Sequence, residues 1–146
     1  MDNDVTRISI IEVPDQPGYA FKIFSTLAAH KINVDIILQS VGRNGTKDIS
    51  FTISTSQKDQ ALKIMNDLVQ SVGAQGITFN DGVSKVSIVG AGMISNPGVA
   101  ATMFEALGEN NINISMISTS EIKISVLIDK DQAKRAVNVI HEAFAL

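Results

Sequence analysis

The chain has 146 residues, 45% hydrophobic and 18% charged, which suits one ordinary domain or two small ones and not a disordered tail. A net charge of −3 argues against binding nucleic acid by phosphate neutralisation, and the lack of cysteine removes disulfide frameworks, zinc knuckles and thiol nucleophiles. No apolar run approaches the ~20 residues a bilayer requires, and the acidic start Met1-Asp2-Asn3-Asp4 is unlike a secretory signal, so a cytoplasmic protein is expected.

In chain order, Ile8–Val13 is a β-branched run that ends at Pro14-Asp15-Gln16-Pro17-Gly18, which predicts a strand entering a turn. Ala20, Ile23, Phe24, Leu27 and Ala28 then recur at the spacing of a helix with one buried face. Asn33–Val41 reads as a second strand. Gly42-Arg43-Asn44-Gly45 predicts a hairpin turn, since Asn-Gly tolerates positive φ, and Lys47–Ser54 returns as a third strand. Ala61, Ile64, Met65, Leu68 and Val72 mark a second helix, and Gly76–Asn80 a short fourth strand.

The same order then recurs, with strands at Val86–Ala91, Asn113–Ser118 and Ile122–Ile128 and helices at Val99–Glu109 and Asp131–Ala143. The copies match motif by motif, in the same order. Arg7-Ile8-Ser9-Ile10-Ile11 matches Lys85-Val86-Ser87-Ile88-Val89, and Gln16-Pro17-Gly18 matches Asn96-Pro97-Gly98. Likewise Lys31-Ile32-Asn33-Val34 matches Asn111-Ile112-Asn113-Ile114, and Lys58-Asp59-Gln60-Ala61 matches Lys130-Asp131-Gln132-Ala133. The offset runs from 78 to 80 to 72, so insertions and deletions fall in loops of a tandem duplication. Each copy is βαββαβ, an α+β ferredoxin-like sandwich, and the turn Asn80-Asp81-Gly82 divides residues 6–81 from 82–146. The second copy lacks its own fourth strand. Its open sheet edge makes a dimer the expected resting state.

Chemistry-bearing groups are few. His30 and His141 stand near helix ends, where a histidine caps carbonyls more often than it catalyses. No nucleophile–base grouping or metal-ligand spacing is present, so no catalytic site, metal or cofactor is expected in this chain. Glu12, Asp15, Asp35 and Asp48 are candidate acids, with Asp35 and Asp48 read as solvated. Gly90-Ala91-Gly92 lacks the third glycine of a dinucleotide fingerprint and reads as a strand end that bends sharply. The stronger signal is the repeated Pro-Gly before the first helix of each copy, at Pro17-Gly18 and Pro97-Gly98. A helix start with a bare glycine presents backbone N–H groups to a carboxylate, and Asp15 beside it can hold an ammonium. Gln39 and Ser40 at one strand end, and Thr119, Ser120 and Glu121 at the other, can complete such a site.

The Pro-Gly turns after the first strands and the Ile-Asn openings of the second resemble the ACT domain, the amino-acid-sensing module of metabolic enzymes. Three further runs resemble the regulatory region of the aspartokinase family: Val89-Gly90-Ala91-Gly92-Met93, Ser95-Asn96-Pro97-Gly98-Val99-Ala100, and Ile117-Ser118-Thr119-Ser120-Glu121-Ile122. Val34–Gln39 and Ala136–Phe144 fit the same family. The resemblance implies an effector-binding regulatory module with lysine and/or threonine at ACT–ACT interfaces, a homodimer, and an aspartate kinase catalytic domain or subunit as partner. Carried onto this sequence, one pocket uses Asp15, Gly18, Tyr19 and Ala20 with Thr119 and Ser120. The other uses Asn96, Gly98, Val99, Ala100, Asn113 and Ile114 with Gln39. Some relatives have a longer lead-in that lends a strand to the second repeat, whereas about five residues precede Thr6 here.

The alternative within binding modules is the ACT-pair small subunit of an enzyme such as acetolactate synthase, which the Ser118-Thr119-Ser120-Glu121 run disfavours. An RNA-binding ferredoxin-like domain needs stacking aromatics and a basic sheet, and this chain has one tyrosine and no tryptophan. Neither nucleic acid nor membrane is an expected partner.

Overall fold

The computed structural model describes residues 1–90 and 97–144. The chain forms two compact units, one of Asp4–Asp81 and one that joins Met1–Asn3 to Gly82–Leu146.

In the first unit, β1 (Thr6–Pro14), β2 (Ile37–Gln39), β3 (Thr46–Ile53) and β4 (Gly76–Asn80) form an antiparallel sheet in the order β2-β3-β1-β4. Helices α1 (Tyr19–Ala29) and α2 (Lys58–Val72) follow β1 and β3. Alternation decides which side of the sheet is apolar. Ile8 and Ile10 of β1 and Ile49, Phe51 and Ile53 of β3 join Ile23 and Leu27 of α1 and Ala61, Met65 and Leu68 of α2 in one core. Phe51 is fully buried, with its ring edge-on to Phe24 at 5.7 Å between centroids.

A β-bulge interrupts β1. Ile10 pairs with Ile49, but the next partners are Val13 and Lys47, so β1 carries one extra residue. Glu12 takes a positive φ of 56° there. Without the bulge, Val13 would face away from Ile10; with it, both are fully buried in the core. The Asn44-Gly45 turn forms as its residue types predict, with φ of 53° and 78° and reciprocal Arg43–Thr46 backbone bonds of 2.8 and 3.0 Å. The second strand is shorter than the apolar run suggested. Only Ile37–Gln39 pairs regularly; before it the Asp35 N–H donates to the Thr52 carbonyl, the Ile36 N–H to Thr52 Oγ1 and the Asn33 N–H to Gln57 Oε1.

In the second unit, β5 (Val83–Val89), β6 (Met116–Thr119) and β7 (Lys123–Asp129) form an antiparallel sheet in the order β5-β7-β6. With α3 (Pro97–Glu109) and α4 (Ala133–Ala143) they enclose Val86, Met103, Leu107, Ile124, Val126 and Ile140. The β5–β7 register runs unbroken from Val83 opposite Asp129 to Val89 opposite Lys123. The N-terminal residues address the missing fourth strand: Asp2 and Lys85 exchange two backbone bonds of 2.8 Å. The Ser84 hydroxyl reaches the Asp2 carbonyl and Asn3 Oδ1. A short stretch of backbone thus covers the edge of β5 that β4 covers beside β1.

Each unit keeps a serine pair across its two main strands, Ser9–Ser50 and Ser87–Ser125, both 2.7 Å between hydroxyl oxygens. Among the described residues, no helix is long and apolar enough to cross a membrane.

Truncating Phe51 to alanine removes a fully buried ring and leaves a cavity, at a cost of about 3–5 kcal/mol. Urea denaturation of the Phe51→Ala variant is expected to show a large drop in midpoint with little change in slope.

Candidate functional site

β1 and β2 run parallel to one another on either side of β3, so their C-terminal ends and the β2–β3 hairpin share one end of the first sheet. Asp15, Gly18 and Gln39 all lie there. Gly18 caps α1 with φ 97°, a conformation glycine adopts without strain, and nothing lies within 4 Å of where a Cβ would stand. Among the described residues, no side chain caps α1, and no acid stands in its first turn. The opening amides of the helix are therefore available to an external acceptor. Tyr19 and Ala20 are half-buried against the core and fix that first turn.

The hairpin builds the other wall. The Asp15 N–H donates to the Gly45 carbonyl at 2.8 Å, and the Asp15 carboxylate meets Lys47 Nζ at 3.2 Å. A Cβ on residue 42 would overlap that carboxylate, so Gly42 is what lets Asp15 lie against the hairpin. Asp48 is not the solvated acid its exposed neighbourhood in sequence suggested. Its carboxylate accepts the N–H of Glu12 at 2.9 Å, replacing the ladder partner lost at the bulge, while its own N–H donates to Ser40 Oγ at 2.9 Å. Gln39 is exposed at the last residue of β2. Lys47, Gly42 and the role of Asp48 escaped the sequence reading. Only the bulge and the hairpin register bring them beside Asp15.

In the second unit, Gly98, Val99 and Ala100 occupy the first turn of α3, with Val99 and Ala100 packed on the core. Thr119 ends β6, and exposed Ser120 donates its N–H to the Lys123 carbonyl at 2.8 Å in a tight turn. Asn113 and Ile114 precede β6 in the chain, and Asn113 is exposed. Ile114 is half-buried against the core. Asn96 and the Ala91-Gly92-Met93 stretch lie outside the described residues.

His30 follows the capping expectation. It closes α1, with its Nδ1 at 2.9 Å from the Thr26 carbonyl. A cleft of about 370 Å³ between α3 and α4 is lined by Thr102, Glu105, Glu109 and Glu142 among others. Its acids would repel a ligand carboxylate. Among the described residues, no group of three or more histidines and acids could hold a metal ion.

Two ACT-domain families match the chain, over residues 6–70 and 86–144. The fold and the repeated helix starts thus define a tandem ACT protein. The aspartokinase of Mycolicibacterium smegmatis is 42% identical over 99% of this chain, and the chain spans 35% of the length of that curated relative. A solved structure of aspartokinase alpha and beta subunits is 48% identical with a TM-score of 0.92, covering 99% of this chain and 95% of the matched one. The regulatory subunit of aspartate kinase from Thermus thermophilus, in its ligand-free form, is 38% identical with a TM-score of 0.93, covering 98% and 94%. The chain belongs to the aspartokinase family and corresponds to its regulatory ACT region.

Replacing Asp48 with alanine removes the side-chain acceptor of the exposed Glu12 amide at the bulge, at a cost of about 0.5–1.5 kcal/mol. In the Asp48→Ala variant, hydrogen exchange at Glu12 and Asp15 is expected to accelerate well beyond that at Ile8 and Phe51.

Proposed function

We propose that this chain is the amino-acid sensor of an aspartate kinase, an enzyme that transfers phosphate from ATP to aspartate, and that lysine, threonine or both act through it as feedback inhibitors. The observation that carries the reading is the start of α1, whose opening amides have no side-chain cap and follow Asp15 by a few residues: donors for a carboxylate and an acid for an ammonium on one turn. The amides suit the effector's carboxylate and Asp15 suits its ammonium. Gly98, Val99 and Ala100 occupy the first turn of α3 in the second unit, and Gln39, Thr119 and Ser120 stand at strand ends as polar contacts.

Inhibition then follows from linkage. An effector shifts the kinase only by the difference in its affinity for two arrangements of the protein, and substrate must weaken effector binding by the same factor. A homodimer and an aspartate kinase catalytic domain or subunit complete the proposed assembly. Exposed Ile37 and Leu38 on the edge strand β2 supply apolar surface for such contacts.

Calorimetric titration with lysine and threonine, alone and together, tests this. Asp15→Asn keeps the side chain's shape and removes its charge, so a charge-assisted bond of about 1.5–3 kcal/mol is lost and affinity is expected to fall tenfold or more. Unchanged affinity for both amino acids would refute the assignment. Ser120→Phe enlarges an exposed turn residue, so melting is expected to stay near normal while effector binding is lost. Normal binding by the folded variant would place the site elsewhere.

A further inference from the structure

The Asp15 carboxylate already has a cation. Lys47 Nζ sits 3.2 Å from Asp15 Oδ1, and the lysine side chain is only 19% exposed against 42% for the aspartate. Lys47 is rooted in β3, opposite Val13 in the sheet register, so a rigid strand delivers its amine to this spot. Asp15 is held from the other sides as well. Its N–H is bonded to Gly45, and its carboxylate lies where a side chain at Gly42 would collide. A ligand ammonium that approaches Asp15 therefore meets an acceptor whose partner is preorganised.

We propose that Lys47 is a built-in competitor for the effector's ammonium and thereby a specificity-determining residue of the amino-acid site. This rests on the assignment of Asp15 to that site. A simple amine offers Asp15 nothing that Lys47 does not already supply, at far higher effective concentration. An amino acid gains a second contact, its carboxylate on the opening amides of α1, and only a ligand with both groups can displace the lysine. The internal ion pair thus raises the concentration threshold for the effector and rejects plain amines.

The test titrates threonine, lysine and propylamine into the wild-type chain and the Lys47→Gln, Lys47→Arg, Asp15→Asn and Asp15→Asn/Lys47→Gln variants, with melting curves for each. Losing a part-exposed ion pair that opposes binding is expected to tighten the effector by about two- to fivefold in Lys47→Gln. Propylamine should gain detectable binding there, Lys47→Arg should stay near wild type, and the double variant should bind no better than Asp15→Asn. If Lys47→Gln binds the effector equally or more weakly while Asp15→Asn loses it, Lys47 is no competitor and the proposal falls alone. If Asp15→Asn binds as tightly as wild type, or the wild type binds neither amino acid, the site assignment falls and takes this proposal with it. If Lys47→Gln does not fold, Lys47→Met takes its place, and failure of both to fold would make the lysine structural and overturn the proposal.

Discussion

At the end of β1 the strand carries one residue more than its partner β3 can pair, and the spare Glu12 amide is taken by the Asp48 carboxylate. The rest of the first site depends on this accommodation. The extra residue keeps both Ile10 and Val13 in the core, which an unbroken period of two would forbid. It also sets the direction in which Pro14 and Asp15 leave the sheet. Asp15 therefore reaches the Asn44-Gly45 hairpin, where Gly45, Gly42 and Lys47 fix its backbone and carboxylate. Core packing and site geometry share one cause.

The duplication is visible in the structure down to single hydroxyls, since the Ser9–Ser50 and Ser87–Ser125 pairs repeat at the same separation. The site-bearing ends of the two sheets have nevertheless diverged. The first unit has a bulge, a long hairpin and a charged pair. The second has a regular register over Val83–Val89 and a tight turn closed by Ser120 and Lys123. Two copies of one fold thus carry different side chains at the ends of their second strands.

Much of this was legible from residue types. Strand and helix periods, the Asn-Gly turn and the Pro-Gly helix starts are local signals, each set by a few neighbouring residues. Asp15 and Gly18 belong to that class, being adjacent to the turn they serve. Lys47, Gly42 and Asp48 do not. Their roles depend on a register shift between strands more than thirty residues apart in sequence, and one inserted residue reverses which side chains meet. Asp48 looks like any surface acid until the bulge leaves an amide for it to accept. β2 is shorter than its apolar run for a related reason: at Ile36 the Thr52 hydroxyl takes the N–H that a regular ladder would use, a long-range contact that apolar residues from Val34 onward do not signal. The lead-in was likewise illegible, because nothing in Asp2 or Asn3 marks them as partners for Lys85 and Ser84.

The central claim is that an amino acid docks by its carboxylate on the opening amides of α1 while Asp15 holds its ammonium. Amide chemical-shift mapping during titration of the intact chain with threonine and with lysine tests it most directly. The account predicts saturable shifts concentrated at Asp15, Gly18, Tyr19 and Ala20 for at least one of the two amino acids, abolished in Asp15→Asn. Saturable shifts confined to the acidic α3–α4 cleft, or an unperturbed α1 start at saturation, would contradict it.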